Sequence, residues 1–203
     1  MGRFIKLYED HTDINEVRKI VDELRRGGVI IYPTDTVYAI GCDIMQPKAI
    51  QRVASLKGIK PERALFSIIC SDISMAGKYT KIGDKVFKFM KRTLPGPFTF
   101  ILPAAKSLPS SIEGLRKTIG IRIPDNRIVQ AIVEELGNPL LTTSVKSDGG
   151  ETEYTTDPEL IFEKYEKLVE VVIDGGYGND EPSTVVDCSD DEPEIIRQGM
   201  GTF

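Results

Sequence analysis

Two hydroxyl groups and a carboxylate stand directly after an apolar run of this sequence. Val29–Tyr32 is followed by Pro33 and then by Thr34, Asp35 and Thr36, which the packing of a buried strand does not require. Polar groups also interrupt or follow other apolar runs, namely at Arg122, Thr142–Ser144 with Lys146, Ser183-Thr184 and Arg197. Polar side chains at strand ends of α/β folds commonly line a ligand crevice, although single hydroxyls there also stabilise turns. The pattern predicts a polar ligand site assembled from distant segments.

A second group of candidate residues is basic. Lys57, Lys60 and Arg63 occur in the stretch LKGIKPERAL, between a predicted helix and a predicted strand. Fixed cations of this kind bind phosphate groups, and a solvated charged turn is the alternative interpretation. The sequence contains neither GxxxxGK[ST] nor GxGxxG. A nucleotide would therefore have to be bound by side chains rather than by a glycine-rich backbone loop.

Histidine and cysteine are too sparse for several kinds of catalytic site. His11 is the only histidine, which argues against a Ser-His-Asp relay or a histidine-rich zinc site. Cys42, Cys70 and Cys188 are far apart and form no CxxC motif, so we expect buried thiols in a reducing compartment. No metal site formed by protein residues is predicted.

Length and composition predict one domain spanning residues 1–203. Hydrophobic residues make up 40% of the chain, which is enough for a sizeable core. No apolar run is long enough for a bilayer and the N-terminus lacks a secretory pattern, so we expect a soluble, cytoplasmic protein. The formal net charge of −5 weighs against wholesale coating of nucleic acid, and a local basic patch stays open.

Amphipathic helices alternate with apolar strands and must position these residues. Helices are predicted in DINEVRKIVDELRRGG, from Pro47, from Asp72, near Asp84–Leu94, after a cap at Asp125 and from Asp157. Strands are predicted in RFIKLY, VIIY, ALFSIIC, FTFIL, TIGIRI, PLLTTS, VEVVID, STVVDC and EIIRQG. The alternation predicts an α/β sheet covered by helices. Lys146–Asp157 is predicted to be a surface loop, with a cover over a site as the alternative.

Seven short strings in the chain carry a family resemblance. In order they are YPTDTVYAIGCD, LKGIKPERALFSIIC, PGPFTFIL, TIGIRIP, LLTTS, STVVDCS and IIRQG. Together they resemble the YrdC/YciO family, and its YciO branch in particular, over nearly the whole chain. The resemblance implies a twisted open mixed sheet, flanked by helices, with a large concave cavity.

The resemblance also implies an activity and its partners. Family members form threonylcarbamoyl-AMP and pyrophosphate from L-threonine, bicarbonate and ATP, with Mg²⁺ accompanying ATP, in the pathway of tRNA threonylcarbamoyladenosine modification. Double-stranded RNA or tRNA is a further partner that the resemblance implies. By position it places Thr34, Arg122 and Ser183 at the threonine, with Arg122 gripping its carboxylate in bidentate fashion. It places Lys57, Lys60, Ser144, Lys146 and Arg197 at the nucleotide, and it identifies no catalytic residue.

Two stretches depart from the pattern of the family's synthases. Their K-x-R-P element is replaced by Lys57-Gly58-Ile59-Lys60-Pro61, and their Ser-x-Asn element by Ser144-Val145-Lys146. Lysine lacks the planar fork of arginine, and an ammonium group only donates hydrogen bonds, whereas an amide also accepts them. Three hypotheses therefore stay open: a threonylcarbamoyl-AMP synthase, a hydrolase or transferase acting on a threonylcarbamoyl nucleotide or modified tRNA, and a double-stranded RNA-binding module without chemistry.

Overall fold

Ten strands form one sheet in the computed structural model, which describes residues 1–60, 66–109, 112, 117–145, 153–190 and 192–202. In chain order the strands are β1 (Arg3–Lys6), β2 (Val29–Tyr32), β3 (Ala39–Asp43), β4 (Ser67–Ile69), β5 (Phe98–Pro103), β6 (Thr118–Arg122), β7 (Leu140–Ser144), β8 (Val171–Asp174), β9 (Thr184–Asp187) and β10 (Glu194–Arg197). The helices of the described residues are α1 (Ile14–Arg25), α2 (Pro47–Leu56), α3 (Ile73–Tyr79), α4 (Asp84–Thr93), α5 (Arg127–Leu136), α6 (Glu153–Thr156) and α7 (Pro158–Tyr165). Within these ranges, none of the helices combines the length and apolarity that crossing a bilayer requires.

The sheet is open and mixed. Its strand order is β1-β8-β2-β3-β7-β4-β6-β5-β9-β10. The pairs β1–β8, β2–β8, β4–β6 and β5–β9 are parallel, and the other five are antiparallel. The predicted α/β class with a mixed open sheet is therefore confirmed.

Helices cover the two faces of the sheet unequally. On one face, α1 and α5 pack against β1, β8, β2 and the start of β7, in a cluster that includes Leu24, Ile30 and Val133. On the other face, α2 and α7 form one apolar cluster with the sheet, and α3 and α4 form a second. Burying a side chain such as Leu24 contributes about 1.5–3 kcal/mol. Because α1 and α5 cover only one half of the first face, its other half, from β7 to β10, can hold a ligand.

The observed elements differ from the predicted ones at three places. Strand β3 was not predicted, because its glycine and its terminal aspartate weaken the strand pattern; it pairs antiparallel with β2. The predicted cap of α5 is wrong by one residue: Asn126, not Asp125, accepts the hydrogen bond from Val129 N, at 3.1 Å. Part of the predicted loop is also helical, since α6 lies within it, whereas residues 146–152 lie outside the described residues.

Candidate functional site

A cavity of about 410 Å³ lies on the uncovered half of the first face. Its floor stays open at Gly120, where a Cβ atom would lie 2.3 Å from Ser67 Oγ and 3.2 Å from Thr99 Cγ2. Ser67 pairs with Gly120 across β4 and β6 and with Thr142 across β4 and β7, so these residues form one row across the floor. The polar and charged residues of the described lining are Thr36, Ser67, Thr99, Thr118, Arg122, Thr142, Thr143, Ser144, Ser183 and Arg197.

Arg122 is the buried cation of this cavity. It ends β6, and only 7% of the residue is exposed. Its Nη2 donates to Asp35 Oδ1 at 2.7 Å and to Thr36 Oγ1 at 3.0 Å. Its buried Nε finds no hydrogen-bond partner among the described residues. Burial lowers the pKa of the guanidinium, and the Asp35 carboxylate opposes that shift.

Asp35 is the anionic partner of Arg122 in this ion pair. Its Oδ2 accepts from the backbone N–H of Asp125 at 3.0 Å. Burial raises the pKa of the Asp35 carboxyl group, and Arg122 together with the Asp125 N–H works in the opposite direction. The pair thus ties the β2–β3 connection to the end of β6, and it is itself nearly shielded from water.

Thr34 stabilises the turn after β2 and does not line the cavity. Its Oγ1 donates to Val37 O at 2.7 Å and accepts from Thr36 N at 3.1 Å. The side chain borders a neighbouring pocket of about 470 Å³ that also contains Asp35 and Asn179. Thr34 reaches the cavity only through Thr36, since their hydroxyls lie 3.2 Å apart. The structure therefore brings Arg122, Ser183, Ser144 and Arg197 together in one lining and leaves Thr34 beside it.

Ser183 and Arg197 form the β9–β10 side of the cavity. Ser183 Oγ lies 2.7 Å from Thr99 Oγ1, and either hydroxyl can be the donor. Arg197 Nη2 donates to the Ser183 carbonyl at 2.8 Å. Arg197 is exposed, unlike Arg122, and it is close enough to lower the pKa of Arg122 by repulsion. An anion placed in this cavity would therefore meet two cations.

The predicted basic nucleotide contacts are only partly within reach of the cavity. Lys57 Nζ donates to the carbonyl of Ser144, at 2.8 Å, and Ser144 lines the cavity. Lys60 is exposed and is not part of the lining. Lys146 and Arg63 lie outside the described residues. Nucleotide binding by this segment stays a prediction, as does RNA binding.

Thr99 is a site residue that the sequence pattern did not single out, and Asp35 and Thr36, which belong to the predicted polar cluster, had no individual role assigned. Thr99 carried a readable signal, because it is the one hydroxyl in FTFIL and alternates with Phe98 and Phe100. Alternation along a strand places such a residue on the face opposite its apolar neighbours. The partnership of Asp35 with Arg122 left no signal, because 87 positions separate them.

The described residues do not fit a resident Mg²⁺ site. Magnesium prefers oxygen ligands, typically including carboxylates. The polar side chains of the described lining are hydroxyls and guanidinium groups, with no carboxylate. In the described ranges, no group of three or more His, Cys, Asp or Glu residues is arranged so that it could hold a metal ion.

The described residues combine an open mixed α/β sheet with a cavity on its uncovered face that is lined by arginines and hydroxyls. The profile of the Sua5/YciO/YrdC family, described as telomere recombination, matches residues 22–199. The chain belongs to this family, as its sequence resemblance predicted.

Relatives and solved structures agree with this membership. YciO of Escherichia coli is 39% identical over 99% of this chain and 97% of its own. Its crystal structure superposes with a TM-score of 0.90 at 38% identity, covering 100% of this chain and 98% of that one. A putative threonylcarbamoyl-AMP synthase of Methanocaldococcus jannaschii is 33% identical over 98% of this chain and 94% of its own. The crystal structure of P. abyssi Sua5 complexed with L-threonine gives a TM-score of 0.87 at 25% identity, covering 98% of this chain and 58% of that one.

Proposed function

We propose that the protein binds L-threonine and ATP in the cavity and forms threonylcarbamoyl-AMP from them and bicarbonate. The observation that carries this proposal is the joint lining by buried Arg122, exposed Arg197 and the hydroxyl of Ser183. A guanidinium group suits a carboxylate or a phosphate, because both offer oxygens that accept its N–H groups. The two arginines give one cavity the means to bind an amino acid and a nucleotide.

The reaction needs positioning more than proton transfer by the protein. The amine of threonine forms a C–N bond to the carbon of bicarbonate, with loss of water, and gives a carbamate. A carbamate oxygen then bonds to the α-phosphorus of ATP, the bond to the bridging oxygen breaks, and pyrophosphate leaves with its electron pair. The charge of the triphosphate would be offset by the Mg²⁺ that accompanies ATP in solution. Arg197 stabilises phosphate charge and Arg122 orients the amino acid, which are contributions of proximity and electrostatics.

The relatives support this choice of substrates. The M. jannaschii relative is named a putative threonylcarbamoyl-AMP synthase, and the P. abyssi Sua5 structure is a complex with L-threonine. Arg122 remains a suitable partner for an amino-acid carboxylate because its Nε makes no hydrogen bond among the described residues. The tRNA modification that consumes this adenylate in the family is the corresponding cellular role.

A direct assay tests the proposal. Purified protein is incubated with L-threonine, bicarbonate, ATP and Mg²⁺, and threonylcarbamoyl-AMP and pyrophosphate are measured by mass spectrometry and a coupled assay. We expect equal amounts of the two products, and none when threonine is left out. The double variant Asp35→Asn/Arg122→Met, which removes both charges of the buried pair, should lose the product while keeping its fold by circular dichroism. Absence of both products with the native protein would reject the synthase.

A second candidate function is hydrolysis or transfer of a finished threonylcarbamoyl group. The observation that favours it is the small positive charge of the described lining: Arg122 is paired with Asp35, which leaves Arg197 as the unneutralised cation. A triphosphate carries more negative charge than one arginine offsets, whereas an adenylate carries a single phosphate. Threonylcarbamoyl-AMP or modified tRNA offered to the protein should then lose the group, and release of threonine without ATP would distinguish this function from synthesis.

A further inference from the structure

Tyr32 contacts a residue of the cavity floor although it does not itself line the cavity. Tyr32, the last residue of β2, is fully buried. Its hydroxyl donates a hydrogen bond of 2.7 Å to Thr142 Oγ1 on β7. Strand β3 lies between these two strands. The Tyr32 side chain therefore spans one strand to reach Thr142.

Gly41 on β3 makes this contact possible. It pairs with Thr142 on one side and with Ile30 on the other. A Cβ atom at Gly41 would lie 2.9 Å from the Tyr32 hydroxyl and 2.2 Å from the carbonyl oxygen of Leu141. Only glycine leaves the space through which the phenol passes.

The direction of the hydrogen bond determines what Thr142 can still do. An ordinary phenol is protonated at neutral pH and burial raises the pKa of the Tyr32 phenol further, so the hydroxyl keeps the proton that it donates to Thr142. Thr142 Oγ1 is then the acceptor, and its own proton has no acceptor among the described residues. Thr142 is only 3% exposed, yet it lines the cavity. A buried hydroxyl that lacks an acceptor carries an energetic cost, which a ligand oxygen can remove.

We propose that Thr142 is a further ligand-binding residue, and that Tyr32 is the positioning residue that directs the Thr142 hydroxyl proton into the cavity. Thr142 lies in the floor row with Ser67 and Gly120, and Arg122 lies two residues beyond Gly120 on the same face of β6. The ligand group is an anionic oxygen, because it must accept from a hydroxyl beside a guanidinium. It belongs to a carboxylate or to a phosphate. This inference rests on the proposed function and adds a binding residue to its site.

Four variants of the full chain separate binding from structure. Thr142→Ser keeps the hydroxyl, Thr142→Val removes it at equal size, Tyr32→Phe removes only the phenol hydroxyl, and a double variant combines Tyr32→Phe with Thr142→Val. Isothermal titration is carried out with L-threonine, with L-threoninol, in which an alcohol replaces the carboxylate, and with Mg²⁺–ATP. If the affinity for L-threonine falls, the oxygen belongs to the carboxylate of the amino acid. If the affinity for Mg²⁺–ATP falls, it belongs to a phosphate of the nucleotide.

The expected pattern is non-additive. Thr142→Val should lower the affinity for one of the two ligands about tenfold or more, while the affinity of Thr142→Ser stays within about threefold of that of the native protein. Tyr32→Phe should lower the affinity for the same ligand about threefold to tenfold. In the Thr142→Val background, Tyr32→Phe should cause no further loss of affinity. Tyr38→Phe is the matched control, because Tyr38 is equally buried and its hydroxyl donates to Gly176 O, away from the cavity lining. It should leave both affinities unchanged even if its melting temperature falls.

Three outcomes would overturn the proposal, and they can be told apart. If the native protein binds L-threonine or ATP and Thr142→Val binds it equally well, Thr142 is not a ligand residue and the proposed function stands. If the effect of Tyr32→Phe is undiminished in the Thr142→Val background, Tyr32 does not act through Thr142. If the native protein binds neither ligand, the proposed function fails and this inference fails with it.

Discussion

Asp35 Oδ1 lies 2.7 Å from Arg122 Nη2, and the two side chains are only 8% and 9% exposed. Since Nη2 also donates to Thr36, both of its N–H groups are in use. A carboxylate that binds in bidentate fashion needs two adjacent N–H groups on one edge of the guanidinium. Both edges that offer such a pair include Nη2. The bidentate grip that the family resemblance implies therefore requires Asp35 or Thr36 to release Nη2, whereas a single hydrogen bond from Nε or Nη1 does not.

Removing the carboxylate of this pair should strongly destabilise the fold. Asp35→Ala leaves a buried guanidinium without its counter-ion, which costs about 3–5 kcal/mol. Urea unfolding followed by circular dichroism measures the loss. Adding Arg122→Met should recover part of it, because the unpaired charge is removed as well. Arg18→Ala, which breaks an exposed pair with Glu135, should cost less than about 1 kcal/mol, and equal losses for the two single variants would contradict the prediction.

A side chain at Gly41 should be poorly tolerated. The 2.2 Å approach of a new Cβ atom to the Leu141 carbonyl involves backbone, which cannot move aside without disturbing the β3–β7 pairing. We expect Gly41→Ala to lower the free energy of unfolding by at least about 2 kcal/mol. Gly77→Ala in helix α3 is the control, because its Cβ atom would meet only Ile82 Cδ1, at 4.0 Å, and a helix gains up to about 1 kcal/mol from that change. Similar stabilities for the two variants would argue against close packing at Gly41.

Gly120→Ala should affect ligand binding more than folding. The nearest atom to its new Cβ is the end of a short side chain, Ser67 Oγ at 2.3 Å, which can rotate away. The methyl group then occupies the cavity floor. We expect a stability loss of about 1–3 kcal/mol, together with at least tenfold weaker L-threonine or ATP binding by titration. Adding Ser67→Ala should restore stability without restoring affinity, and recovery of both would show that the floor itself does not contact the ligand.

The sequence was sufficient for the elements and for the family but not for the internal geometry of the site. Apolar periodicity located α1 and β2 because each buries a continuous stripe or run. The sequence did not predict strand β3, because Gly41 and Asp43 are poor strand residues in isolation. In the structure Gly41 leaves room for the Tyr32 hydroxyl, and Asp43 accepts a hydrogen bond from Met45 N at the end of the strand. The contact of Thr34 with threonine stays a prediction of the family resemblance, and the motif alone does not show which of its two threonine hydroxyls faces Arg122. That choice depends on backbone geometry, which places Thr36 beside Arg122.

Alkaline pH should destabilise the protein through its buried thiols. Burial raises the pKa of Cys70 from about 9 to about 12. Between these values the unfolded chain loses the thiol proton while the folded chain keeps it, so stability is present below pH 9 and falls as pH rises towards 12. One such group accounts for at most about 1.4 kcal/mol per pH unit. Urea unfolding at several pH values should show a shallower fall for Cys70→Ala, and an identical slope would exclude this thiol as a contributor.

The exposed arginine at the cavity edge should govern nucleotide affinity. Arg197 Nη2 donates to the Ser183 carbonyl, which directs the guanidinium beside the cavity, and its repulsion of Arg122 is relieved when an anion binds between them. Arg197→Ala should weaken Mg²⁺–ATP binding at least tenfold with little change in unfolding free energy, because the residue is exposed. Arg197→Lys should recover only part of the affinity, since lysine keeps the charge and loses the planar fork. Titration with Mg²⁺–ATP at two salt concentrations measures both effects, and Arg18→Ala is the surface control. Equal affinity for ATP in Arg197→Ala and in the native protein would show that Arg197 is not part of the nucleotide site.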